Sequence, residues 1–387
     1  MREIRIGIIG TGIIAHQHMQ MYQDIEGVRV VAACDLIPEK LDRFCKRYGI
    51  EFQYADYREL LKRDDLDAVD VCLHNNLHAP ISIDVMASGK NCYCEKPMAG
   101  SYADALAMYE AAKRYGVKFH IQLAMIYGGE VIAAKKLIDE GYLGHIYHAR
   151  SYGYRRRGRP FVDGYAEKEF DSQYWAGHGA LYDMGVYHIS QLLYLLNLPK
   201  VERISGSIYQ EMPMDEERRR ISGFNVEELG LGFVKFEDGL TMDILESWSI
   251  HGGPFPASSV YGAQGGLQFA ESGQLKYFSE IAGYMAETTL DVAGEDYRQT
   301  QLNPPSRLLY KNSQAHWIGV LRGECQPIDT PAIALQTMLI SEGIFLSNKL
   351  KREVSAEEVH ALSVSNAIQE QDAPFGKIVY RKFPFQD

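Results

Sequence analysis

Ile4-Arg5-Ile6-Gly7-Ile8-Ile9-Gly10-Thr11-Gly12-Ile13-Ile14-Ala15 decides the fold. Ile4 to Ile9 is an apolar, β-branched run that breaks directly into G-x-G-x-x-A. A strand entering this turn and then a helix brings backbone within van der Waals reach of a pyrophosphate. Gly10 permits the tight turn, Gly12 removes a Cβ that would meet the ligand, and Ala15 lets helix and strand pack closely. Thr11, Ile13 and Ile14 complete the loop. An acid for the ribose hydroxyls is due about 20 to 25 residues further on. The apolar strand Val28 to Cys34 ends there, in Asp35. Its carboxylate accepts from a free 2′-hydroxyl and repels a 2′-phosphate, so NAD is expected rather than NADP.

Outward from this turn, strand and helix patterns alternate. Helices are expected over 38–48, 56–63, 79–88 and 102–115, and strands over 68–73, 91–94 and 118–123. Repeated βα units with right-handed crossovers give a doubly wound parallel sheet, an α/β Rossmann domain over residues 1–125. The pattern then changes. A helix over 130–140 and a strand over 144–153 lead through an arginine-rich loop to a helix over 183–196. Strand-like runs at 203–209, 228–236, 240–249, 258–261 and 266–269 are separated by turns such as Glu237-Asp238-Gly239, which favours antiparallel pairing. Residues 296–307 read as a polar, Pro-containing loop, followed by helices over 316–322 and 331–349. Residues 126–387 are therefore expected to form an α+β domain with an open, mostly antiparallel sheet. The exposed face of such a sheet favours a homodimer or homotetramer.

Bulk properties narrow the function classes. Acidic residues (51) outnumber basic ones (40), and the net charge of −11 argues against nucleic acid as a partner. No apolar stretch approaches the roughly 18 residues of a membrane span. Met1-Arg2-Glu3 runs straight into a strand without signal-peptide features, so the cytoplasm is the expected location. The six cysteines lie mostly in apolar runs and read as free buried thiols of a reducing compartment.

In an open α/β sheet the ligand lies beyond the carboxyl ends of the strands. One such end carries Leu73-His74-Asn75-Asn76-Leu77-His78, another Glu95-Lys96-Pro97. Lys96, between a carboxylate and a proline, is placed to orient and polarise a substrate hydroxyl. Leu73, His74, Asn75, His78 and Glu95 are expected around the cofactor. His74 and His78 lack an acidic or sulfur partner at metal-ligand spacing, so no metal site is expected.

These strand ends and the glycine turn resemble the glucose–fructose oxidoreductase / inositol dehydrogenase / MocA (Gfo/Idh/MocA) family. So does Gly177-His178-Gly179-Ala180-Leu181-Tyr182-Asp183-Met184-Gly185-Val186-Tyr187-His188, which is similar to that family's G-G-G-x-L-x-D-x-G-x-H signature. The resemblance implies a nicotinamide cofactor and a sugar, cyclitol or related polyol substrate. The chain departs from the family pattern at three places. His74 replaces the usual proline, His178 replaces the second glycine, and Tyr187 occupies the position of the family's catalytic histidine, with His188 next to it.

A secondary alcohol loses hydride only as its hydroxyl proton departs, so the site needs a proton acceptor at the oxygen. Lys96 and Tyr187 are expected at the hydroxyl, with Asp183 orienting the substrate or tuning Lys96 and His188 as the alternative base. At about 100° per residue, Asp183 and Tyr187 share a helix face and His188 points sideways. Tyr154 and Trp175 suit sugar faces, and Arg156 and His178 offer polar contacts. Arg155, Arg157 and Arg159 read either as an acidic-substituent site or as a solvated loop. Two alternatives stand beside a sugar, inositol or glycoside dehydrogenase. One is a redox-neutral NAD-dependent glycosidase working by transient oxidation and elimination, with His178 and His188 as spare titratable groups. The other is a non-catalytic NAD-binding regulator.

Overall fold

In the computed structural model, which describes residues 2–270, 273–304 and 308–381, the chain forms two compact units. The first comprises residues 1–122, 309–332 and 364–387, the second residues 123–308 and 333–363. The first unit holds a six-stranded parallel sheet: β1 (Ile4–Ile9), β2 (Val28–Cys34), β3 (Phe52–Tyr54), β4 (Ala68–Val71), β5 (Asn91–Cys94) and β6 (Phe119–Ile121). Its order, β3-β2-β1-β4-β5-β6, is that of a dinucleotide-binding doubly wound sheet, with the strand order reversing between β1 and β4. One face is sealed by Ile8, Ala15, Ala33, Leu41 and Phe44.

The other face explains why late segments belong to this unit. Ile4, Ile6, Tyr22 and Tyr93 pack with Trp317 and Ile318 of the helix Ser313–Arg322. The tail is tied in by Ile368 N–H to Asn76 O (3.0 Å), by Asn366 N–H to Asp104 Oδ2 (2.9 Å) and by Tyr380 stacked on Tyr57. A single division at 125/126, drawn from the strand–helix grammar alone, does not register these returns.

The second unit is built on a nine-stranded sheet: β7 (Ile146–Tyr154), β8 (Val201–Tyr209), β9 (Leu229–Phe236), β10 (Thr241–Ser247), β11 (Ser259–Gly262), β12 (Gly265–Ala270), β13 (Gln274–Ile281), β14 (Tyr284–Leu290) and β15 (Val354–Ser355). β7 and β10 pair in parallel, and the remaining neighbours are antiparallel. The helix Thr330–Leu350 lies close on this sheet: a Cβ on Gly232 would come within 2.4 Å of Ile344 Cδ1. No helix among the described residues is long and apolar enough to cross a membrane.

Three expectations are corrected. The helix expected from 79 begins at Asn75 and runs to Ala87 with Pro80 inside it, so Asn75 to His78 form its first turn and His74 its N-cap. The helix expected over 183–196 is two, Ala180–Asp183 and Gly185–Leu195, jointed at Met184. Most of the polar loop expected over 296–307 is helix Val292–Leu302, which ends at Asn303 before Pro304, while residues 305–307 lie outside the described residues.

Candidate active site

The glycine turn is built for close approach on two sides. Gly10 has φ +92, and a Cβ there would sit 2.2 Å from the Cys72 carbonyl oxygen at the end of β4. Its N–H donates to Cys34 O (2.8 Å), locking the turn to β2. A Cβ on Gly12, by contrast, would meet nothing within 4 Å, and no side chain caps the helix Ile13–Gln23 that starts beside it. An uncapped helix N-terminus over open space suits a pyrophosphate. Ile13 stands 59% exposed at this start, Ile14 is half-buried against the core, and Ala15 is fully buried. Asp35 Oδ2 accepts from the Thr11 N–H and the Thr11 hydroxyl, both at 2.8 Å, and Oδ1 accepts from Ile37 N–H (2.9 Å). The acid therefore braces the turn it serves, and its remaining lone pairs fit ribose hydroxyls.

Lys96 is fixed through its backbone. Glu95 Oε2 accepts from Lys96 N–H (2.9 Å), while Oε1 lies 2.7 Å from His18 Nε2. His18 Nδ1 lies 2.8 Å from Asp70 Oδ2, which also accepts from the Tyr22 hydroxyl (2.9 Å). All four side chains are buried. Burial alone would strip the proton from His18, but the Asp70 carboxylate outweighs it and raises the pKa well above the ordinary histidine value. Burial likewise pushes Glu95 up, and His18 reverses that, so its pKa is lowered. An imidazolium between two carboxylates results. His18, Asp70 and Cys72 do cluster as a metal site would. Here the histidine is committed to carboxylates, and burial pushes the Cys72 thiol up to about 12, far from the thiolate a metal needs.

The other strand-end residues divide. Leu73 lies against the glycine turn: a Cβ on Gly10 would come 2.9 Å from Leu73 Cδ2. His74 and Lys96 are half-buried and Asn75 is buried. His78 is sealed, with Nδ1 2.8 Å from Pro97 O and Nε2 3.0 Å from Leu73 O, and burial lowers its pKa. Both ring nitrogens face backbone carbonyls, to one of which the neutral ring donates, so the side chain is turned to backbone.

In the second unit, the Gly177-to-His188 stretch is held from beneath. A Cβ on Gly179 would lie 2.0 Å from Glu227 O, so only glycine fits there. The Glu227 carboxylate accepts from Gly179 N–H (2.8 Å) and Leu181 N–H (2.9 Å), and burial pushes its pKa up to about 7. At the Met184 joint, Tyr187 N–H donates to Met184 O (3.1 Å), one residue tighter than an α-helical bond. Met184 itself keeps right-handed helical dihedrals (φ −90, ψ −43). Asp183 has a partner that the sequence did not announce: the buried Trp248 indole N–H donates to its Oδ2 at 2.9 Å. Tyr187 is half-buried.

His188 also has a distant partner. Its Nδ1 lies 3.0 and 3.2 Å from the two oxygens of Glu246, whose side chain is 0% exposed on β10. Ser151 of β7 donates its hydroxyl to Glu246 Oε1 (2.9 Å). Gly153 pairs in register with Glu246, and a Cβ there would sit 2.2 Å from His188 Cε1 and 2.4 Å from Glu246 Oε2. Burial disfavours the charged ring, but Glu246 outweighs it and holds the His188 pKa above the ordinary value.

His178 and Arg159 are corrected. The His178 ring lies 3.9 Å from Phe345 and 4.3 Å from Tyr182 between centroids, and burial drops its pKa to about 3. It is a neutral packed ring, poorly suited to proton transfer. Arg159 is fully buried on Asp163, Glu228 (2.9 Å each) and the carbonyls of Met212 and Pro213, so it braces the loop and is closed to a ligand. Arg156 is exposed, Trp175 is half-buried edge-on to Tyr174, and half-buried Tyr154 packs on Phe255.

Comparison with known proteins shows the same two-part organisation. Residues 4–123 match the model of the oxidoreductase family with an NAD-binding Rossmann fold, and residues 131–268 that of the GFO/IDH/MocA C-terminal domain. The chain is 30% identical over 155 residues to inositol 2-dehydrogenase of Salmonella typhimurium, an alignment covering 38% of this chain and 46% of the relative. It thus spans about half the length of the inositol dehydrogenases it matches. It is 25% identical to D-glucoside 3-dehydrogenase of Escherichia coli over 61% of this chain and 68% of that one. Among solved structures, an NAD binding oxidoreductase from Klebsiella pneumoniae superposes with TM-score 0.75 at 22% identity, over 92% of this chain and 99% of that one.

Proposed function

The chain belongs to the Gfo/Idh/MocA oxidoreductase family, and we propose that it is an NAD-dependent dehydrogenase acting on a secondary hydroxyl of a sugar, inositol or glycoside. The observation that carries this reading is the buried His18–Glu95 clamp on the Lys96 backbone, in the same unit as the open, uncapped turn at Gly12. A non-catalytic NAD-binding regulator needs no ammonium held in this way. The relatives act on inositol and on glucosides by name, which sets the substrate class proposed here.

Bound NAD supplies the hydride acceptor. The chain supplies orientation and charge. Lys96 donates to the reacting hydroxyl and, as a cation, stabilises the alkoxide character that develops there. Asp183, braced at Oδ2 by the Trp248 indole, orients the substrate. Tyr187 or His188 takes the hydroxyl proton. Tyr154, Trp175 and Arg156 contact the sugar, and Asp35 selects NAD over NADP. The exposed sheet of the second unit forms the contact of a homodimer or homotetramer.

A panel of sugars, inositols and glycosides with NAD and NADP, followed at the reduced-nicotinamide absorbance band, tests the proposal. Net NADH from at least one polyol is expected. Glycoside cleavage without net NADH would favour the redox-neutral glycosidase, and neither product would leave the dehydrogenase reading without support.

A further inference from the structure

We propose that His188 is the proton acceptor of this reaction and that Glu246 is its positioning residue. The inference rests on the dehydrogenase reading above and deepens it. A neutral imidazole carries one N–H and one lone pair, and the bond made by one nitrogen decides which role the other plays. Glu246 is acceptor-only when ionised, so it fixes the proton on Nδ1 and leaves the lone pair on Nε2. Nε2 carries no hydrogen bond among the described residues, and the side chain is 20% exposed. One nitrogen is anchored on a buried carboxylate and the other is open. That is the arrangement of an oriented base.

The surroundings are shaped for this pair. Glu246 puts a carboxylate on the buried face of β10, and β7 answers it with Gly153 and Ser151 rather than with apolar side chains. The charged group facing the ring is Glu246, while Gly153 and Ser151 are not titratable. Tyr187 is the competing assignment. A tyrosine must lose its own proton before it can accept one, whereas a neutral imidazole accepts at once. In the reaction the O–H bond breaks and its proton forms an N–H bond on Nε2. The oxygen's electron pair closes the carbonyl as the C–H pair departs as hydride to the oxidised nicotinamide. Glu246 faces the resulting imidazolium, which later returns its proton to water.

The test combines nuclear magnetic resonance with kinetics. In protein labelled with 15N-histidine, H188Q identifies the His188 signals. The neutral ring should be the Nδ1–H tautomer and should titrate above 6.5. E246Q keeps the geometry without the charge and should lower that midpoint by about one unit or more. The acid limb of log kcat should move with it. E246D should give a smaller shift of the same sign, and it serves if E246Q does not fold. H188Q should cost about 10²-fold or more in kcat and abolish the limb. A midpoint that does not respond to either Glu246 variant, or a limb that stays put while the midpoint moves, overturns the proposal. If the unaltered protein oxidises no polyol, the dehydrogenase reading fails instead. The titration needs no substrate and tells the two failures apart.

Discussion

Two buried carboxylate sites, one in each unit, are satisfied in opposite ways. In the first, Asp70 and Glu95 share His18, so negative charge is met by a cation inside the network. In the second, Glu227 is met by two backbone N–H groups, and its pKa rises to about 7. Internally paired charge stays ionised through neutral pH and behaves as a rigid strut. The two amide donors to Glu227 do not offset its burial, so it is left to titrate near neutral pH. Lys96 thus stands on a fixed footing, whereas the turn through Gly179 and Leu181 is set on a carboxyl that responds to protons.

Lys96→Met breaks the comparison most sharply, because it removes the ammonium while leaving the backbone N–H and the strut that holds it. We expect kcat to fall about 10²- to 10⁴-fold. NADH binding, followed by nucleotide fluorescence, should be unchanged. Turnover within about tenfold of the unaltered protein would sink the role of Lys96. His18→Leu attacks the strut itself. It strands two buried carboxylates and should cost about 3–5 kcal/mol in urea unfolding. Adding Asp70→Asn and Glu95→Gln should recover much of that loss, and no recovery would mean that charge is not what His18 supplies. In the second unit, Trp248→Phe keeps the packing but deletes the donor to Asp183 Oδ2. The expected loss is about 1.5–3 kcal/mol of transition-state stabilisation, read as kcat/KM with the midpoint of unfolding nearly unmoved. An equal loss in stability would make the bond structural.

The same contrast explains what could be read from the chain. Gly10, Gly12 and Asp35 were legible because their spacing encodes backbone conformation, and Lys96 because it ends a strand whose neighbours form a motif. His18, Trp248 and Glu246 were not, since each acts through a partner brought near by strand pairing: Glu246 meets His188 across 58 residues and Ser151 across 95. Nothing local marks such a residue apart from a charge in an otherwise apolar strand. Arg159 and His178 misled for the same reason in reverse, the guanidinium being consumed by Glu228 and the imidazole ring packed against Tyr182 and Phe345. Helix Val292–Leu302 has no buried residue, and β14 is mostly exposed, so neither carries an apolar period to find. The Met184 joint was invisible because its two short helices are apolar on both sides.

The smallest expected effect sharpens the comparison furthest. A carboxyl whose folded pKa is about 7 against an unfolded value near 4.5 holds its proton more tightly when folded. Its contribution to stability is therefore complete below pH 4.5 and is lost as pH rises through 7. The slope is about 1 kcal/mol per pH unit at its steepest. His188, also raised, adds a loss of the same sign, while His178, lowered to about 3, works in the opposite direction. The difference between the unaltered protein and Glu227→Gln isolates the one carboxyl. From pH 5 to pH 8 the urea midpoint of the unaltered protein should fall relative to that of the variant, because the variant has no proton to lose. Parallel curves would show that the amides hold Glu227 ionised over this range, as His18 holds Glu95.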